Sequence, residues 1–203
     1  MATGPSLTAA VHPALCEPDR TLLAAIIAKG LAEAGPGPGL AVALGLEGAR
    51  LKALLRNVLP GAPELAASLP PGASAGPAAL EEPDLRALLA ESLAPAPPGP
   101  AAEFAAALPA ILARRCQGPG HLWCDLGLAD RGQLQGLMGR HFPALKADNP
   151  GMRWKKYLYR VLCRREGLTI CKAPNCRDCV DYAACFVDPG VADVGHPTGA
   201  TLN

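Results

Sequence analysis

Four cysteines near the C-terminal end, Cys171, Cys176, Cys179 and Cys185, are the residues whose type and spacing most clearly could do chemistry. They follow a C-x4-C-x2-C-x5-C pattern, four thiols within fifteen residues. Thiolates are soft ligands that suit zinc, Cu(I) and iron–sulfur clusters. Structural zinc sites usually pair two short Cys knuckles across a longer insert. Here the ligands run almost continuously, as a loop that wraps its guest, and the first three match the opening of the plant-type ferredoxin pattern. Pro174, Asn175 and Asp178 help bend that loop. On spacing, an iron–sulfur cluster stands ahead of zinc, and disulfides come third. An anionic thiolate-bound cluster also needs compensating charge, which Lys172, Arg177 and the preceding basic stretch can supply.

That stretch, residues 153–166, reads as an amphipathic helix. Trp154, Tyr157, Leu158, Val161 and Leu162 share one face, and Arg153, Lys155, Lys156, Arg160 and Arg164 occupy the rest. Such a face can hold an oxyanion such as molybdate or dock an acidic partner. Lys155 and Lys156 are the candidate anion-collecting residues, and the solvated-face alternative stands beside them.

The elements that must position these residues read as helices. The chain of 203 residues is 50% hydrophobic by a broad count and 4% aromatic, so its apolar content is chiefly Ala and Leu. Val, Ile and Thr rarely alternate, which removes the strand signal. The 22 Pro and 22 Gly are clustered and punctuate helices. An all-α fold with irregular connections and a C-terminal cysteine-rich loop follows. Residues 1–17 are expected to be loose. A helix begins near Asp19, its expected cap, and ends at Gly35, Pro36 and Gly37. Further helical stretches carry Leu51 to Leu59, start at Pro83, run over 101–116 and occupy 130–140. Residues 70–77 and 95–100 read as linker and stiff spacer. No chemistry is legible between 62 and 100. The organisation expected is a helical N-terminal region over 1–100, a core with the cysteine loop over 101–187, and a disordered tail over 188–203.

An internal duplication is suggested as well. Ile26, Ile27, Ala28 and Lys29, then Gly-Pro-Gly, Leu44, Gly45, Leu46, Leu51, Leu54, Leu55, Leu59 and Pro60 form one copy. Ile111, Leu112, Ala113 and Arg114, then Gly-Pro-Gly, Leu126, Gly127, Leu128, Leu134, Leu137, Met138, Phe142 and Pro143 form the other. The shared positions are apolar or turn-forming, as in a repeated helix–turn–helix unit, although Ala/Leu-rich sequence aligns with itself easily. The second copy alone carries His121, Trp123, Cys124 and His141; Val58 aligns with His141. His121 and His141 are therefore candidate auxiliary metal contacts, against the ordinary alternative of packed, hydrogen-bonded histidines.

A net charge of +1 argues against nucleic acid or a membrane surface as partner. The apolar run at 22–28 is far too short to span a bilayer, no export signal is legible, and the cytoplasm is the expected compartment. There the eight cysteines stay reduced, which favours metal binding over disulfides.

The order of motifs over 110–187 resembles the NifQ family. His121, Leu122, Trp123, Asp125, Leu126, Gly127 and Leu128 open it, and Arg140, His141, Phe142 and Pro143 follow. Met152, Trp154, Lys155, Lys156, Tyr159, Arg160, Cys163, Glu166 and Gly167 come next, and the cysteine run with Asp181, Tyr182 and Phe186 closes it. The resemblance implies an iron–sulfur protein, with a cluster of three- or four-iron type on Cys171, Cys176, Cys179 and Cys185, that takes up molybdenum. It further implies delivery to the nitrogenase iron protein and the cofactor-assembly scaffold for building the iron–molybdenum cofactor, a carrier's role and not an enzyme's. A zinc-binding interaction or nucleic-acid module with a structural four-cysteine site is the alternative. The resemblance does not require Cys124, and Cys116 and Cys163 read as apolar fillers as readily as ligands.

Overall fold

The computed structural model describes residues 6–70, 72–165 and 167. Among them the fold is all-α, and the expected cysteine loop and tail lie outside the described residues. No described helix is long and apolar enough to cross a membrane.

Helix α1 (Leu7–Ala10) is the first element among the described residues, and over 6–17 it corrects the expectation of a loose segment. Ala10, Val11 and Leu15 are buried. The backbone there is pinned, with His12 N–H donating to Val58 O at 2.9 Å and Gly61 N–H to Ala10 O at 3.0 Å. Helix α2 (Glu17–Ala34) follows with Pro18 and two acidic residues, Glu17 and Asp19, in its first turn, where the helix dipole favours them. The cap position belongs to Cys16 rather than Asp19. The helix ends at Gly35. Helix α3 (Pro38–Leu44) packs on α2, and α4 (Gly48–Val58) and α5 (Pro63–Ala67) complete the first half.

The stretch expected as a linker is anchored: Ala73 and Ala75 are buried, and Ala73 O accepts from Gly48 N–H at 2.6 Å. Helix α6 (Glu82–Glu91) starts as Pro83 predicts and lies along α7 (Pro100–Cys116). Between them Glu82, 1% exposed, accepts from Arg114 at 2.9 Å and Arg86 at 3.2 Å. A buried carboxylate is stable only with such partners.

Helix α7 is apolar almost all round, with Phe104, Leu108, Ile111, Leu112, Cys116 and several alanines buried, as suits a central helix. It touches α3, α4, α6 and α8, so one apolar cluster runs from Ala10 to Tyr159 and includes residues on both sides of position 100. Helices α8 (Leu122–Asp125), α9 (Arg131–His141), α10 (Pro143–Asp148) and α11 (Trp154–Arg165) follow. On α11 the buried residues are Trp154, Tyr157, Leu158 and also Tyr159, with Val161 and Leu162 packed at the margin.

Residues 26–60 and 111–143 share several local features. Gly45 (φ 63°) and Gly127 (φ 76°) turn the chain in the left-handed region, and the next residue bonds back five positions in each, Leu46 to Ala41 O and Leu128 to Trp123 O. Helices α4 and α9 both have eleven residues and end on an apolar residue of similar backbone, Leu59 (φ −125°, ψ 54°) and Phe142 (φ −136°, ψ 55°). The contacts are also reciprocal. A Cβ on Gly45 would lie 2.8 Å from Arg114 Cβ and 3.3 Å from Ala110 O, and one on Gly127 would lie 2.6 Å from Lys29 Cβ and 2.9 Å from Ala25 O.

Candidate functional site

Cys171, Cys176, Cys179 and Cys185 lie outside the described residues, and α11 is the element that leads to them. Among the described residues no three His, Cys, Asp or Glu side chains gather to hold a metal ion. The start of α11 is tied to the turn between α7 and α8. Lys155 Nζ donates to Gly118 O at 2.7 Å and to the Asp125 carboxylate, which also accepts Gly120 N–H at 3.2 Å. The Lys155 and Asp125 side chains are each 13% exposed, so the pair is largely removed from water. Lys155 thus acts here as a clamp whose charge is matched by Asp125. Lys156, next to it, is half-buried on α11.

Beside this clamp is a cavity of about 410 Å³. His121, at the cap position of α8, lines it together with Trp123, Arg131, Gln135, Arg153 and Trp154. The first turns of α9 and α11 both contribute to its wall. The approach to α11 is held by Asn149, whose side chain accepts Met152 N–H at 2.7 Å and donates to Met152 O at 3.1 Å. Trp154 meets Tyr157 edge-on at 5.6 Å, and Tyr157 OH donates to Asp148 at 2.9 Å. Burial, with Asp148 beside it, pushes the Tyr157 hydroxyl up to about 12, so it remains a donor.

His141 lies elsewhere. It is the last residue of α9, eleven residues long, so it stands roughly 15 Å from the cavity end of that helix. It is 8% exposed, its Nε2 is 3.1 Å from Asp19 Oδ2, and its ring meets Phe104 edge-on at 5.6 Å. Asp19 Oδ1 accepts from Arg140 at 3.0 and 2.7 Å. Burial raises the Asp19 carboxyl, but the hydrogen bonds and charges of His141 and Arg140 together outweigh it and hold it below the usual value. The structure therefore brings His121 together with the start of α11 and places His141 in a separate buried network.

Of the other cysteines, Cys116 is buried and its thiol is pushed up to about 12 by burial, against the nearby Lys155 charge and with that of Asp125. It stays protonated at neutral pH and behaves as an apolar filler. Cys124 is a partly buried free thiol. Sequence reasoning placed Arg153 on the basic face but missed Arg131 and Gln135 as cavity residues and Asp125 as the partner of Lys155. The legible signal was their position in or next to first turns, beside the histidine and tryptophans already singled out.

The family model for NifQ matches residues 22–187, most of the chain and the whole cysteine run. The chain belongs to the NifQ family. NifQ of Rhodobacter capsulatus is 42% identical over 163 residues, 79% of this chain and 86% of that protein. A NifQ homolog of Sinorhizobium fredii is 47% identical over 90 residues, 44% of this chain and 39% of that protein. NifQ of Azotobacter vinelandii is 43% identical over 77 residues, 37% and 40% of the two chains. The NifQ family is implicated in nitrogen fixation. No solved structure matches this chain.

Proposed function

We propose that this NifQ-family chain is a molybdenum carrier of nitrogen fixation. It holds an iron–sulfur cluster of three- or four-iron type on Cys171, Cys176, Cys179 and Cys185 and takes up molybdenum as cargo. It delivers that cargo in the cytoplasm to the nitrogenase iron protein and the cofactor-assembly scaffold, where the iron–molybdenum cofactor is built. The observation that carries the reading is that the family match runs through residue 187, so the C-x4-C-x2-C-x5-C run lies inside it. Four thiolates are the donor set a soft metal–sulfur centre takes. When bound, the cluster supplies a sulfide-rich surface suited to reduced molybdenum.

The chain's own residues hold and orient. The Lys155–Asp125 clamp fixes the turn carrying His121 and Trp123 against α11, the helix that leads to the cysteines. Lys156 keeps its assignment on the basic face of that helix. His121, at the cavity wall, keeps its assignment as an auxiliary contact. His141, engaged by Asp19, serves the fold. Transfer of cargo makes and breaks no bond of a turned-over substrate, so the reading assigns no enzyme activity.

The same reading treats residues 26–60 and 111–143 as two copies of one helix–turn–helix unit. The matched left-handed glycines, equal helix lengths and reciprocal contacts support it, since Ala110 and Arg114 are the counterparts of Ala25 and Lys29. The second copy then gained His121 and Trp123 while the first kept packing residues.

Elemental analysis of the chain purified without oxygen from molybdate-supplied cells tests the proposal, beside a Cys176→Ala, Cys179→Ala variant. Iron, acid-labile sulfide and molybdenum in the parent, and their loss from the variant, are expected. Zinc alone, with no iron or sulfide after anaerobic reconstitution, would mean a structural four-cysteine zinc site and overturn it.

A further inference from the structure

A second cavity, of about 780 Å³, opens between the segment after α1, helix α4 and the start of α7. It lies at the opposite end of α7 from the Lys155 clamp, roughly 25 Å away along that helix of 17 residues. Its walls carry Arg50, Arg56 and Asn57 of α4, His12, and Glu103 in the first turn of α7, with residues 98–100 as a rim. Arg50, Arg56 and Asn57 are exposed, so their donors are within reach of a ligand. Among the described residues neither arginine has a hydrogen-bond or ion-pair partner, and Glu103 of the same wall does not pair with them. The His12 ring is held by the fold. Its backbone N–H donates to Val58 O at 2.9 Å, and its Nδ1 accepts Ala14 N–H at 3.1 Å. In the neutral ring the proton then sits on Nε2, which is left as a further donor. A Cβ on Gly99 would meet nothing within 4 Å, so the rim is open on that side.

Size and charge decide the ligand class. A volume of about 780 Å³ falls in the range of about 300–1,000 Å³ for small-molecule sites and is far more than an inorganic oxyanion fills. Arg50 and Arg56 are six residues apart on α4, which separates their Cα atoms by roughly 9 Å along the helix. Two guanidinium groups so spaced suit two anionic groups on one molecule better than a single ion. Glu103 repels a ligand that is anionic throughout and favours one with a hydroxyl between its anionic ends. We propose that this cavity binds a compact, hydroxylated organic polyanion. Arg50 and Arg56 each receive one anionic group, and His12, Asn57 and Glu103 meet the polar middle. The shared chemistry covers polycarboxylates and bisphosphates, which the test separates. This inference goes beyond the carrier reading and does not rest on it.

Isothermal titration calorimetry of the full chain at constant ionic strength tests it, with sodium citrate, fructose bisphosphate and sodium phosphate as probes. Saturable one-to-one binding of citrate or of the bisphosphate is expected, about tenfold or more tighter than that of inorganic phosphate. Arg50→Gln and Arg56→Gln should each weaken it about tenfold or more, the effect of losing a hydrogen bond to a charged group. Both side chains are exposed, so the circular dichroism spectrum should stay native. Preference for citrate assigns the cavity to polycarboxylates, preference for the bisphosphate assigns it to phosphate esters, and equal binding supports the shared chemistry alone. No saturable binding, binding no tighter than that of inorganic phosphate, or binding unchanged in both variants would overturn the proposal. Iron, sulfide and molybdenum in protein whose cavity stays silent would sink this inference and leave the carrier reading standing.

Discussion

Asp19 joins the first long helix to the end of α9 through three side-chain contacts, two from Arg140 and one with His141, 122 residues away. Its carboxyl is held below its ordinary value of 3.8 in the folded chain. A depressed carboxyl stabilises the fold above its unfolded-state pKa, and that contribution fades as pH falls through the folded-state value. Asp19→Asn should therefore lower stability at pH 7 by about 1.5–3 kcal/mol, the range for hydrogen bonds to charged groups. Chemical denaturation should show the gap between parent and variant narrowing in acid. A variant within about 0.5 kcal/mol of the parent at pH 7, the scatter of neutral surface changes, would contradict the account. In sequence, Asp19 reads as a helix cap and His141 as a candidate metal contact. Their pairing is tertiary and leaves no local trace, whereas the tryptophans and His121 stand out by type alone.

Helix ends in this chain are set by glycine and proline, which is why most long helices are legible beforehand. Helix α11 falls within one residue of its expected bounds because its apolar face repeats cleanly against five basic residues. The short helices α1, α5, α8 and α10 have four to six residues and carry no period to read. Their place comes from packing. Two glycine positions separate conformation from packing. Gly127 needs φ 76° and also has Lys29 and Ala25 against it, while Gly35 needs φ 70° with nothing within 4 Å. Gly35→Ala should show the strain of a backbone (φ 70°, ψ −179°) that is essentially reserved for glycine, about 1–3 kcal/mol. Gly127→Ala should lose more, about 3 kcal/mol or above, because α2 must also move away. Equal losses in urea denaturation would mean that the approach of the turn to α2 is looser than described.

At the scale of the whole molecule, an Ala- and Leu-rich chain with few aromatics builds one core around α7, and alanine lets neighbouring helices come close. That outcome is written in composition and periodicity. The cavity is not: it forms where three short stretches, 121–123, 131–135 and 151–155, converge, and only the fold brings them together. The candidate metal ligands lie outside the described residues, so they rest on spacing and family membership. In the proposed function, molybdenum is held by this chain in a sulfur-rich centre made with Cys171, Cys176, Cys179 and Cys185. Molybdenum K-edge X-ray absorption on protein purified without oxygen tests it most directly. The account predicts sulfur neighbours with iron in the next shell, lost together in the Cys176→Ala, Cys179→Ala variant. A spectrum of four oxygens alone, the same in parent and variant, would contradict it.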